Sequence, residues 1–183
     1  MKEISLNILD ITENSVKAGS TLTEILLTEN EHTLTVIIKD NGCGMTEEVL
    51  SAVENPFYTT RRTRSVGLGI PLFKMSAEQT GGSFRIDSKD RAAYPLDHGT
   101  TVTAIFNKGH IDHTPLGDIV STVQTLVQGH PEVDFVFIHE INQGRVEIDT
   151  REMREVLEGI PLNSFEIISW IGDNLREQYS SLY

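Results

Sequence analysis

Two apolar, β-branched runs stand almost back to back, "TLTEILLT" at 21–28 and "TLTVIIKD" at 33–40, and the second leads straight into "DNGCGM". Joined by the polar "ENEH", such runs predict a β-hairpin. The hairpin must therefore end on an aspartate, Asp40, inside a turn whose glycines, Gly42 and Gly44, let the backbone come close to a planar group. A carboxylate held there can accept a hydrogen bond from an exocyclic amine. Taken alone it serves equally well to close an Asx-turn. Cys43 between the glycines reads as a passenger. After Met45, Thr46 is a good N-cap for a short helix, with Glu48 nearby.

Around this hairpin the pattern alternates between helix and strand. Residues 4–18, "ISLNILDITENSVKA", read as a helix closed by Gly19, with Ile4, Ile8 and Ile11 on one side and Asp10, Glu13, Asn14 and Lys17 on the other. "IPLFKMSAEQT" reads as a helix with Pro71 in its first turn and Gly81-Gly82 at its end. "SFRIDS" and "GTTVTAIFN" are strands around the polar loop 89–98. Beyond Gly109 come a helix in "PLGDIVSTVQTLVQG", a hairpin of "VDFVFIHEI" and "RVEIDT", and two amphipathic helices, "REMREVLEG" and "SFEIISWIGDNLREQY". The class is α/β, and the expected division is a first unit over 1–109 and an α/β extension over 110–183.

Charge separates the two parts. The 183 residues carry a net charge of −12, and residues 110–183 hold 13 acidic against 4 basic side chains. This balance argues against a nucleic-acid partner, because phosphate contacts need a basic surface. No apolar run is long enough for a membrane span, the start lacks the apolar core of a signal peptide, and one cysteine suits a reducing compartment. The expected location is cytoplasmic.

Three pieces carry chemistry: the Asp40 turn is the first, and the polar face of the 4–18 helix is the second. Asp10 and Asn14 are one turn apart on a helix face. An Asn oxygen suits Mg²⁺ that keeps several waters, and a neighbouring carboxylate can orient or deprotonate a water or hydroxyl. Lys17, a turn further on, can meet a phosphate oxygen. The same stripe is also what an ordinary solvated helix face looks like. Third, "TTRRTRSVGLGI" sets Arg61, Arg62 and Arg64 before a glycine turn that opens a helix, and free amides at a helix N-terminus bind anions. No G-K-[ST] follows, so this is no Walker P-loop.

Taken together, and in this order, the pieces resemble the Bergerat-fold ATPases, the superfamily of histidine kinases, gyrase-type topoisomerases, Hsp90 and MutL. The resemblance covers about residues 4–107. "DITENSVKAGST" is similar to the N-box, "DNGCGM" to the D-x-G-x-G box, "NPFYTT" to the aromatic box of histidine kinases, "GLGIPLF" to their second glycine box, and "HGTTVTAIF" to the final Gly-Thr box. The resemblance implies a two-layer α/β sandwich that binds ATP with Mg²⁺. It implies that Asn14 is the Mg²⁺ ligand and that Asp40 and Thr100 are the adenine readers, with Gly42, Gly44 and Met45 beside them. Phe57 would flank the lid, while Lys17, Arg61, Arg64, Gly67, Leu68 and Gly69 would hold phosphates. Asp10 stands where gyrase-type members place a catalytic glutamate, with Glu13 as the alternative base.

Some features depart from the family. Ser65-Val66 replace the usual Gly-Thr, and the lid is short, as in sensor kinases. Only nine residues precede Asp10, so the expectation is a chain without its own phospho-acceptor helices. It would act as a kinase-like phosphotransferase on a partner protein, or else as an ATP-gated switch or slow ATPase working through the extension; a homodimer is compatible with either. The strands that usually precede the N-box are missing, so the 133–149 hairpin is expected either to fill that sheet edge or to form a separate subdomain. "HIDH" and His139-Glu140 read as surface histidines rather than a metal site. Trp170, with Ile167, Ile168 and Ile171, reads as a helix packing into a core.

Overall fold

The computed structural model describes residues 3–53 and 69–182. Helix α1 (Ile4–Lys17) is followed by β1 (Leu22–Glu29) and β2 (Thr33–Asp40), the expected antiparallel hairpin. Then come α2 (Glu47–Val53), α3 (Gly69–Gln79), β3 (Ser83–Lys89) and β4 (Gly99–Asn107). The extension supplies α4 (Ile119–Gly129), β5 (Asp134–Ile141), β6 (Gly144–Asp149), α5 (Thr150–Leu157) and α6 (Phe165–Ser180).

All six strands join one sheet in the order β3-β4-β2-β1-β5-β6. Every neighbouring pair is antiparallel except β1 and β5, which run parallel with Leu22 opposite Asp134. The 133–149 hairpin therefore fills the sheet edge beside β1 and is not remote from it. Parallel pairing requires a crossover, and α4 provides it.

Period-two alternation buries one face. Ile25 and Leu27 of β1, Val36 and Ile38 of β2, and Phe135 and Phe137 of β5 meet Ile4, Ile8, Phe73, Val123 and Leu126 from the helices in a single core. α1 packs against α3 and α4, and α4 against α6. The halves are also joined through the main chain: the amides of Ile4 and Ser5 donate to the carbonyls of Pro115 and Leu116. Residues 115–116 thus satisfy two of the free amides at the start of α1. Helix α4 begins only at Ile119, because Asp118 accepts from the Ser121 amide as its N-cap.

The outer edge of β6 is covered by α6. The Gln178 amide bonds the Glu147 main chain in both directions, accepting from its N–H at 2.8 Å and donating to its C=O at 3.0 Å. Trp170 does not join the core. Ile171 is fully buried, but Trp170 is 51% exposed, since α6 turns only one narrow stripe toward α4 and β6.

Candidate nucleotide site

Asp40 closes β2 and is nearly buried. Its Oδ1 accepts from the Gly42 amide at 2.9 Å and the Thr100 amide at 3.2 Å. Its Oδ2 accepts from the Ser15 hydroxyl at 2.7 Å. The β2–β4 register sets Asp40 directly opposite Thr100, which explains why residues so far apart in sequence share a carboxylate. An ionised carboxylate offers about four acceptor positions, so one remains for an external donor.

The turn after Asp40 is held tightly. Gly44 has φ +67°, and a Cβ there would lie 1.9 Å from the Lys89 carbonyl oxygen, so a side chain would break the contact between this turn and the end of β3. The Cys43 amide donates to Ala18 C=O, and the Met45 amide donates to the Ser88 hydroxyl. Ser88 also bonds the Thr100 hydroxyl at 2.9 Å. His98 Nδ1–H donates to the Gly42 carbonyl at 2.6 Å. Ser15, Ser88 and His98 were not legible as site residues. No spacing rule links a helix serine or a loop histidine to a strand end.

The second cluster lies where α1 meets the start of α3. A Cβ built on Gly69 would stand 3.6 Å from Asn14 Nδ2 and 3.8 Å from Asp10 Oδ2. The first residue of α3, and the positive end of its dipole, thus abut the Asp10–Asn14 pair. Asp10 is exposed and Asn14 half-buried. Among the described residues neither side chain has a hydrogen-bond or ion-pair partner, and both are free for a ligand. One neutral amide oxygen with a carboxylate a turn away is a donor set that fits Mg²⁺ shared with phosphate oxygens.

Glu13 points its capacity elsewhere. Its carboxylate accepts from His130 Nε2 at 2.7 Å and pairs with Lys17 at 3.5 Å. Burial pushes its carboxyl up, but the hydrogen bond and charge of His130, with the charge of Lys17, outweigh this and hold it below the usual carboxylate range. Lys17, the last residue of α1, is otherwise exposed. Phe57, Arg61, Arg64, Gly67 and Leu68 lie outside the described residues, as do Arg62, Ser65 and Val66. Among the described residues no helix is long and apolar enough to cross a membrane.

The sequence model of the histidine kinase-, DNA gyrase B- and HSP90-like ATPases matches residues 2–110. The chain belongs to this ATPase family. Sporulation kinase A of Bacillus subtilis is 33% identical over 88 residues, which covers 48% of this chain and 14% of that protein. Sensor protein SrrB of Staphylococcus aureus is 34% identical over 108 residues, covering 55% of this chain and 17% of that protein. The chain thus spans only a small part of these relatives' own length. The Aquifex aeolicus MutL ATPase domain complexed with ADP shares the fold, with TM-score 0.55 and 12% identity over 86% of this chain and 70% of that one. That coverage exceeds the segment matched by the family, so the shared fold continues into the extension.

Proposed function

We propose that the chain binds Mg·ATP and transfers its γ-phosphoryl group to a histidine or serine on a separate protein. The observation that carries this reading is the meeting of Gly69 with Asp10 and Asn14, which have no partner among the described residues. A helix N-terminus for anions, an amide oxygen for a cation and a carboxylate for a proton converge there. Asp40 would accept from the adenine amine, with Thr100, Gly42, Gly44 and Met45 around it. Asn14 would hold Mg²⁺, which when bound offsets negative charge on the phosphate oxygens. Lys17, Arg61, Arg64 and the 67–69 amides would hold the phosphates, with Phe57 flanking them. Asp10 is the base in this scheme, orienting the acceptor group, because Glu13 is already engaged by His130 and Lys17.

A second reading, an ATP-gated switch or slow ATPase, has its own observation in favour. His130 ties α1, at Glu13, to the turn between α4 and β5, so a phosphate that draws Lys17 away from Glu13 would be felt in the extension. The two readings separate when the protein is incubated with γ-labelled ATP, Mg²⁺ and cell extract. Label on one other protein, lost with Asp10→Asn, supports transfer. Free phosphate alone supports hydrolysis and the switch. Absence of ATP binding by the wild-type chain would overturn both.

A further inference from the structure

A groove of about 840 Å³ opens between α5, α6 and the β5–β6 hairpin, with Glu24 of β1 at its border. Val136 and Ile138 form its floor, and Met153, Val156 and Trp170 line its walls. By strand alternation Val136 and Ile138 point opposite to Phe135 and Phe137, while Ile148, Leu157 and Ile167 join the groove to the margin of the core. Its apolar lining is open: Val156 is 80% and Trp170 51% exposed. So large a cluster of exposed apolar side chains is what interaction sites present, and half-open tryptophans anchor interfaces.

The rim states the charge of the partner. Four carboxylates, Glu24, Glu147, Asp149 and Glu152, surround the groove against two arginines, Arg145 and Arg151. Three of these carboxylates are already paired, Glu24 with Lys39, Glu147 with Arg145 and Asp149 with Arg151. Glu152 has no ion pair among the described residues. From Arg145 to Asn174 the chain carries seven acidic and three basic side chains. A second copy would bring the same acidic rim against itself within molecules of net charge −12, and such like-charge contact is repulsive. An apolar trough with an acidic rim instead fits a helix with apolar anchors at i, i+3, i+4 and i+7 and lysines or arginines flanking them.

We propose that this groove docks a basic amphipathic helix of a partner protein. The proposal does not depend on the nucleotide reading. Its probe is a fluorescein-labelled synthetic Leu/Lys helix of about 18 residues, long enough for several turns, titrated into the full chain without nucleotide. Trp170 is the only tryptophan, so its emission reports the groove directly. The expected result is saturable binding with a blue shift of that emission, weakened by salt. Val156→Asp, at an exposed position, should weaken binding at least tenfold while thermal unfolding and ATP binding stay unchanged. The substitution separates docking from simple charge attraction, because an added carboxylate would tighten a purely electrostatic complex. Tighter or unchanged binding by Val156→Asp overturns the proposal. So does equal binding of a peptide with every Leu replaced by Gln, or a dimer in sedimentation that Val156→Asp dissociates. ATP affinity measured on the same samples keeps failure here distinct from failure of the nucleotide reading.

Discussion

Across strand β1 the sheet changes what it leaves unsatisfied. On the β2–β4 side the spare capacity is polar: Asp40 retains an acceptor position, and Asp10 and Asn14 have no partner among the described residues. On the β5–β6 side polar groups are spent on one another. His139, fully buried and not on the surface as expected from sequence, bonds the Tyr179 hydroxyl at 2.8 Å, Arg154 pairs with Asp134 at 2.7 Å, and Gln178 closes the β6 edge. What stays unspent there is chiefly apolar, in Trp170 and Val156, with Glu152 at its rim. One half is thus prepared for a small charged ligand and the other for a surface, while both share one core.

The shared core is the first thing to break. Phe137 is fully buried on β5, and Phe137→Ala should cost about 3–5 kcal/mol. If the sheet is one cooperative unit, Trp170 fluorescence and ATP protection will be lost at the same denaturant concentration. Loss of the Trp170 signal with ATP affinity intact would show two independent halves. Next in size is Asp40→Asn, which keeps one oxygen for the Gly42 and Thr100 amides but puts an NH2 donor in place of the Oδ2 acceptor and removes the charge. A charge-assisted hydrogen bond is worth about 1.5–3 kcal/mol, so ATP affinity should fall about 10- to 100-fold by calorimetric titration, with little change in the helix-binding groove. Unchanged affinity would count against the adenine assignment.

Acidification should act on the extension side. Burial lowers the His139 pKa more than Glu29 raises it, with Lys108 adding a lowering contribution. The unfolded imidazole therefore binds a proton at higher pH than the folded one. Stability is full above the ordinary value near 6.5 and falls as pH drops below it toward the lower folded value. In urea titrations across this window, His139→Gln should show a flatter dependence on pH than the wild type. The smallest effect belongs to Gln178→Ala, about 1 kcal/mol from the edge hydrogen bonds, seen as a shifted urea midpoint at constant ATP affinity.

Local patterns revealed what depends on neighbours in sequence. Alternation at 21–28 and 33–40 gave the hairpin, helical spacing put Asp10 beside Asn14, and box order joined Asp40 to Thr100. Contacts made by the tertiary fold had no such signature. Ser15 reaches Asp40 because α1 lies across the end of β2, and Glu13 meets His130 only once α4 has docked. The 133–149 hairpin could pair or stand apart on sequence grounds, and the free edge of β1 decided it. Trp170 shares a helical stripe with Ile167, Ile168 and Ile171, and periodicity cannot say how wide a stripe the neighbours will cover. Only Ile171 of the four is fully buried.

The parallel pairing of β1 with β5 also sets a timetable for synthesis. Leu22–Glu29 emerges from the ribosome with β2 next in line, yet its other edge waits for Asp134–Ile141. Until then a strand bearing Ile25, Leu26 and Leu27 offers unpaired main-chain groups, the kind of edge on which nascent chains stick together. A product stopped after β4 would hold every proposed nucleotide-site residue and still lack this cover. The extension is thus a late-arriving guard for the strand next to the site as well as a surface of its own.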